Sequence, residues 1–584
     1  MACSSSLLRL MILPVAFAVL VISSVAHGAV VEHTFNVGNL SISRLCQPEM
    51  IITAVNGQLP GPTINASEGD TVVVHLVNES PYNMTIHWHG VFQRGSQWAD
   101  GPSMITQCPV GPSGNYTYRF NVTDQEGTLW WHAHISFLRA TVYGAIVLNP
   151  RAGADAYPFP AKPDAEHVVL LGEWWNANVV DLERMAFLTG IPARNADAYT
   201  INGKPGDLYN CSAANQTEVF QVRRNETHLL RIINAALNTP LFVKVAGHGF
   251  TVVAVDASYA TPYATDVVVI APGQTVDALM VADANATASP GGRFYMAATP
   301  YDSAVPNGPA FSQTTATAVV EYVGEVDDTV PPVLPTRPDY NDTPTAHRFW
   351  SNLTALVLPG KPTVPLAVDT HMFVTVGLGV SECQPAQLLC NRSAPPVFSS
   401  SMNNASFVPP TSISMLEAHF NNASAGVYTR DFPDTPPVVF DYTGDESNNA
   451  TMQFTTKSTK VKTLRYNETV EMVLQNTRLI AKESHPMHIH GLNFFVVAQG
   501  FGNYDEATAT PMFNLVNPQE RNTIAVPTGG WAVIRFVANN PGMWYMHCHF
   551  EAHLDLGLAM VFEVQDGPTP ETSLPPPPAD LPQC

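Results

Sequence analysis

Apolar and polar residues alternate over short stretches of this chain and seldom recur at helical spacing. Val72 to Val77, Val243 to Val255 and Trp531 to Val537 are typical runs, punctuated by Gly, Pro and Asn. A period of two sends successive side chains to opposite faces, so these runs predict short antiparallel strands. Helical stretches are few. The strand pattern also repeats on a larger scale. Residues 69–90 read Gly-Asp-Thr-Val, then a strand ending Leu76-Val77-Asn78, then a strand bearing His87 and His89. Residues 467–490 read Asn467-Glu468-Thr469-Val470, then Leu474-Gln475-Asn476, then His488 and His490. A third copy, Asn225-Glu226-Thr227 followed by Ile232-Ile233-Asn234, lies between them. Three copies within 584 residues predict an all-β chain of three similar domains.

Proline-rich segments mark the joins. Residues 149–164 separate the first two domains, and Val330-Pro331-Pro332 through Pro344 opens a long connector to the third. The expected boundaries are 29–150 for the first domain, 160–326 for the second, and 340–584 for the connector and third domain. Residues 1–28 carry Arg9, an apolar run from Leu10 to Ile22, and small residues around Ala26-His27-Gly28, the layout of a cleaved secretory leader. The run is short for a membrane span, and no later segment has the roughly 20 uninterrupted apolar residues that spanning needs. A secreted, soluble protein is expected.

Candidate chemistry concentrates in four His-x-His pairs: His87-Trp88-His89, His132-Ala133-His134, His488-Ile489-His490 and His547-Cys548-His549. With His485 and His553 these motifs hold ten of the 19 histidines. A lone pair in a buried strand is more often structural than a ligand. Four pairs with an embedded Cys point to metal. In an extended strand Cys548 can bind one ion while His547 and His549 reach others behind it. Two His and one Cys in a trigonal site suit copper in electron transfer, a role for His485, Cys548 and His553. The other eight histidines are too many for one tetrahedral zinc and suit a cluster of about three metals. Where the third domain reads Trp544-Tyr545-Met546-His547-Cys548-His549, the second reads Phe294-Tyr295-Met296-Ala297-Ala298-Thr299. The second domain therefore reads as a spacer. His248, in the Gly247-His248-Gly249 turn, and His75, His167, His228, His347, His371 and His419 have no paired spacing and read as structural.

These motifs occur with Gln97-Trp98-Ala99-Asp100-Gly101-Pro102, Ile105-Thr106-Gln107-Cys108-Pro109, Gly127-Thr128-Leu129-Trp130-Trp131, and the stretches His485 to Gly500 and Met543 to Met560. Together they resemble the multicopper oxidases, and closely the plant laccases, over essentially the whole chain beyond the leader. The resemblance implies three cupredoxin-like Greek-key β-sandwich domains and four copper ions, one type 1, one type 2 and two type 3. His485, Cys548 and His553 match the type 1 ligands, His87 and His488 the type 2 pair, and His89, His132, His134, His490, His547 and His549 the type 3 set. The implied reaction is one-electron oxidation of small phenolics such as monolignols, coupled to four-electron reduction of O2 to water. The implied setting is a monomer in the apoplast or cell wall, acting in lignin polymerisation or in degradation and detoxification of lignin-derived products.

In that family, acids near the cluster relay protons, and the matching residues are Asp100 and Glu551. Their plainer readings are a turn-forming Asp and a solvated Glu. The axial position of the type 1 site matches Leu558, and a non-coordinating Leu raises the potential and favours phenols. Met560 lies two residues off and reads as core. The chain departs from the plant laccase pattern at Asp555-Leu556, where a Trp usually precedes Gly557; a carboxylate there stabilises oxidised copper. Ascorbate oxidases and metal-ion oxidases share the cluster and form the nearest alternative. A non-enzymatic wall protein of the same fold would be expected to have lost ligands.

Charge and cysteine content narrow the setting. A formal net charge of -21 argues against nucleic acid or anionic membranes as partners. With Cys3 in the leader and Cys548 assigned to metal, Cys46, Cys108, Cys211, Cys383, Cys390 and Cys584 form an even set that suits an oxidising compartment. Sequence alone pairs them in many ways. The laccase resemblance implies Cys108 with Cys584 and Cys46 with Cys211, leaving Cys383 and Cys390 to close a local loop. Asn-x-Ser/Thr triplets recur from Asn39 to Asn467, Asn78 among them, and glycans are expected to supply the surface solubility that a 13% charged chain lacks.

Overall fold

The computed structural model describes residues 28–584 except 160, 210, 213, 286–288, 305–310, 392–395 and 445–449. The expected leader, but for Gly28, and the triplets at Asn210 and Asn449 lie outside the described residues. The sheets fall into three pairs. The first pair joins a four-stranded sheet (Val30–Ile42, Met50–Val55, Thr71–Asn78, Asn115–Asn121) to another (Ile64–Ser67, Ile86–His89, Gly127–Ala133, Tyr143–Asn149). Sheets of six and five strands form the second pair, and sheets of eight and five the third. A separate apolar core lies within each pair, around Phe35 and Leu129 in the first, Ile232 and Met296 in the second, and Met472 and Met546 in the third. The chain is thus three cupredoxin-like β-sandwiches, with few helices.

Pairing is not purely antiparallel, as the alternating runs alone implied. In each sandwich the opening strand runs parallel to the strand of the repeat: Val30–Val37 beside Thr71–Asn78, Ala165–Leu171 beside His228–Asn234, and Thr370–Val376 beside Val470–Asn476. The chain leaves the sheet before returning to it, and a Greek-key crossover restores the same direction. The run Val243 to Val255 likewise divides into Leu241–Val245 and Phe250–Val255 at the turn holding His248. That histidine is buried, with Nδ1 on the Ala246 carbonyl and Nε2 beside the Tyr322 hydroxyl.

The three repeat strands end alike. Asn78, Asn234 and Asn476 are each 0% exposed. Each donates from Nδ2 to two backbone carbonyls: Asn78 to Tyr82 and Val110, Asn234 to Thr239 and Ile270, and Asn476 to Glu483 and Pro527. The amide thus closes the loop that follows its strand, where buried backbone needs partners. This corrects the expectation for Asn78, whose nitrogen faces the interior and is no glycan acceptor in the folded chain.

Disulfides join Cys46 to Cys211, Cys108 to Cys584 and Cys383 to Cys390, while Cys548 is free and buried. The long tail therefore lies over the first sandwich, where Leu581 enters the core and the Trp98 indole donates to the Pro575 carbonyl. The connector's helix Thr343–Ser351, capped by Asp342, buries Phe349 and Trp350 in the second core.

Candidate metal centre

Two antiparallel strand pairs carry the His-x-His motifs. His87 lies opposite His132 in the first sandwich, and His488 opposite His547 in the third. Residues two apart share a face, so each pair of strands presents four imidazoles to one side. The two sets meet across the domain boundary: His549 Nε2 is 3.1 Å from His89 Nδ1, and His134 Nε2 is 3.3 Å from His547 Nε2. Cys548 points the other way, 3.8 Å from His485 Nδ1 and 3.6 Å from His553 Nδ1, which are 3.2 Å from each other.

Ligand atoms converge within 4.8 Å in four triads: His87, His488 and His490; His87, His89 and His132; His134, His490 and His547; and His485, Cys548 and His553. Burial, reinforced mainly by neighbouring imidazoles and Arg139, pushes His89, His132, His134, His488, His490 and His549 well below the ordinary histidine range. Burial also lowers His485 and His547 to about 3. Neutral imidazoles keep the lone pairs that metal ligation needs.

Outer contacts direct those lone pairs. His87 Nδ1 donates to the Asp100 carbonyl at 2.8 Å, and His490 Nδ1 to Asp100 Oδ2 at 2.9 Å. His132, His547 and His488 give Nδ1–H to the carbonyls of Ala133, Cys548 and Asn522, each at 2.9 Å. With the proton on Nδ1, the Nε2 lone pair faces inward. On His87, His132 and His488 that nitrogen is buried with no hydrogen-bond partner. A buried acceptor without a donor is costly unless a cation takes its place. The residues therefore fit metal ions, and the thiolate among imidazoles fits copper.

Of the two expected acids, Asp100 is 0% exposed beside His87 and His490, with Oδ1 accepting no hydrogen bond and 3.4 Å from His87 Nδ1. Glu551 is buried at the start of the helix Glu551–Asp555, with Oε2 2.9 Å from Arg139 Nε. Leu558 is fully buried, and its carbonyl accepts from the Cys548 amide. Met560 pairs with Met546 in the neighbouring ladder and belongs to the third core. Asp555 ends the helix that carries His553, within electrostatic reach of Glu183 and Glu551.

Several residues that touch the site were not singled out from sequence. Arg139 is buried and reaches His549 Nδ1, the carbonyls of His549 and Leu237, and Glu551. A lone cation in the otherwise uncharged stretch from Leu129 to Pro150 was its available signal. Glu483 Oε1 lies 3.3 Å from His553 Nε2, on the side of the ring away from Cys548. The Thr523 hydroxyl lies between His89 and His488. Among the described residues the second sandwich supplies no histidine to the triads, yet it touches His549, which stands beside them. Gly273, at φ +89°, abuts the His549 ring, and its carbonyl accepts from the Trp130 indole.

Family profiles described as multicopper oxidase match residues 36–153, 165–325 and 431–568. The chain is 77% identical to Laccase-25 of Oryza sativa subsp. japonica over 571 residues, covering 97% of this chain and 98% of that protein. It is 70% identical to Laccase-24 of the same organism over 580 residues, covering 98% and 99%. Among solved structures it resembles the laccase from Botrytis aclada at 25% identity and a TM-score of 0.70, covering 94% of this chain and 89% of that one.

Proposed function

The chain belongs to the multicopper oxidase family, among its plant laccases, and from that premise we propose a ligand set, a proton route and a setting for its oxidation of phenols by O2. His485, Cys548 and His553 hold the type 1 copper. His87 and His488 hold the type 2 ion, and His89, His132, His134, His490, His547 and His549 the two type 3 ions. The observation that carries this is the tripeptide His547-Cys548-His549, whose thiol meets His485 and His553 on one face while its imidazoles meet His134 and His89 on the other. Bound copper supplies the redox chemistry, taking single electrons from phenols and delivering four of them to O2.

The remaining work falls to the chain. Each phenol that loses an electron also loses a proton and leaves as a radical. Glu483 Oε1, 3.3 Å from His553 Nε2, holds that ring's proton on the outward nitrogen and leaves Nδ1 facing Cys548. Four protons join O2 to make two waters. Asp100 Oδ2 holds the His490 proton on Nδ1, and its Oδ1, which accepts no hydrogen bond and lies 3.4 Å from His87 Nδ1, carries protons toward the cluster. Glu551, fixed by Arg139, serves the opposite side. Ten of the eleven ligands are buried and His134 is half-buried, so little bulk water reaches the cluster, which strengthens these electrostatic contacts. The Leu558 side chain, buried next to Cys548, has no donor atom to offer a copper that His485, Cys548 and His553 would hold, which would suit phenols over easier donors.

The setting is extracellular. Residues 1–28 act as a secretory leader, the domains span 29–150, 160–326 and 340–584, and a glycosylated monomer oxidises monolignols or related phenolics in the apoplast or cell wall. Three disulfides support an oxidising compartment. No described helix is long and apolar enough to cross a membrane. The test is oxygen uptake by copper-loaded protein with sinapyl alcohol, run beside ascorbate, with bound copper counted and the visible spectrum recorded. Rapid uptake with the phenol, an intense blue band and no peroxide are expected. Uptake with ascorbate alone overturns the substrate assignment and the use of Leu558.

A further inference from the structure

We propose that the Thr523 hydroxyl fixes which ring nitrogen His89 turns toward the metal cluster, and that the second domain holds it in place for that purpose. The inference rests on the ligand set proposed above. Five cluster histidines spend Nδ1–H on an oxygen and turn Nε2 inward. His89 is reversed. Its Nδ1 lies 3.1 Å from His549 Nε2, while its Nε2 lies 3.1 Å from Thr523 Oγ1 and 3.2 Å from Asn522 Oδ1.

The hydroxyl has one proton and two lone pairs. Asn522 Oδ1, 2.9 Å away, can only accept, so the hydroxyl proton goes there. One lone pair then accepts from His89 Nε2–H, a proton shared with Asn522 Oδ1, and the other from His488 Nδ1–H at 3.0 Å, a proton shared with the Asn522 carbonyl. All three capacities are used. Each bond puts a proton on the nitrogen that faces away from the cluster, in one histidine of the first domain and one of the third. Were the Asn522 amide turned over, its N–H would face His89 Nε2 and drive the proton onto Nδ1, the nitrogen needed for metal. The atom that faces His89 Nε2, at 3.2 Å, is instead Asn522 Oδ1.

Thr523 is anchored from the second sandwich. Its amide donates to Asp256 Oδ2 at 3.3 Å, and its carbonyl accepts from Gln274 Nε2 at 3.1 Å. Asp256 is itself fixed by Arg521 Nε at 2.9 Å and by the Thr275 amide at 2.9 Å. All three domains thus meet at one residue, the first and third at its hydroxyl and the second at its backbone. Thr523 is a positioning residue and touches no reacting atom.

The experiment compares Thr523→Val, Thr523→Ala and Thr523→Ser in copper-loaded, full-length protein. Bound copper is counted under chelator competition, with type 2 electron paramagnetic resonance and near-ultraviolet type 3 absorption recorded. Loss of the hydroxyl is expected to weaken retention of cluster copper by about 10–100-fold and to change both signals. The type 1 blue band stays intact and reports a folded third domain. Ser restores the wild-type signals. Asp256→Asn, which keeps the shape but loosens the anchor, is expected to shift the type 2 signal in the same direction. Full copper and unchanged spectra in both Val and Ala variants overturn the inference. His89→Ala and His488→Ala run in parallel: if they too retain all copper the ligand set fails, and if they lose cluster copper while the Thr523 variants do not, only the present inference fails.

Discussion

Adding one methyl group at Gly273 tests whether a domain without ligands governs the metal cluster. A Cβ built there lies 2.8 Å from both Cγ and Cδ2 of His549. Carbon atoms sit comfortably at about 3.5 Å, so the ring must retreat by roughly 0.7 Å. Ligand positions tolerate about 0.2 Å, so Gly273→Ala displaces His549 well outside the range for a bound metal. The ring has little room to yield, because Arg139 meets its Nδ1 and His89 meets its Nε2. A backbone cost of about 1–2 kcal/mol adds to this, since φ is +89° at Gly273. The assay is copper content per chain with blue and near-ultraviolet absorption, followed by oxygen uptake with a phenol. Gly273→Ala is expected to keep the blue band, lose cluster copper and lose oxygen reduction. A variant that loads fully and turns over like wild type refutes the reasoning.

Three further outcomes are expected. Burial pushes the Glu563 carboxyl up, but hydrogen bonds from His419, Arg430 and Thr463 outweigh it and hold the group well below the carboxylate range. A depressed carboxyl contributes its full stability above the unfolded value of about 4.3 and loses it as pH falls toward the folded value, so Glu563→Gln should flatten the acid side of the Tm–pH curve. Asn78→Ala removes one donor from each of the Tyr82 and Val110 carbonyls, which keep Ser80 Oγ and the Met84 amide, and should cost about 1–3 kcal/mol in denaturant unfolding; peptide mass spectrometry of folded wild type should find Asn78 bare. Leu558→Met should lower the type 1 potential in a redox titration and shift relative rates from phenols toward ascorbate; an unchanged potential would count against Leu558 as the axial residue.

What could be read from the chain depended on how local each signal was. The ligand motifs were legible because histidines two apart must share a strand face, and because a Cys between two of them has few uses besides copper. The three-sandwich fold was legible because strand, Asn and loop recur in order. Thr523 and Gly273 were not, because their meaning comes from partners hundreds of residues away: His89 for Thr523, and a ring on another sandwich for Gly273. Arg139 left only a weak trace, one cation in an apolar run. Asn78 was misread as a glycan acceptor because the triplet rule sees three residues and not burial. Its place in the repeat, matching Asn234 and Asn476, was the better guide.

The bond between Cys108 and Cys584 spans 476 residues. Amino-terminal domains generally fold first as a chain is made, so the first sandwich takes shape with Cys108 still a thiol and four imidazoles facing no counterpart. During that interval the growing chain holds an exposed half-site open to stray metal and a sulfhydryl open to the wrong cysteine, with Cys46 and Cys211 both made earlier than Cys584. Correct biogenesis is therefore a matter of timing as well as fit: the oxidant that seals Cys108 must act after the third sandwich has docked, and copper delivered before then meets only half of its cage.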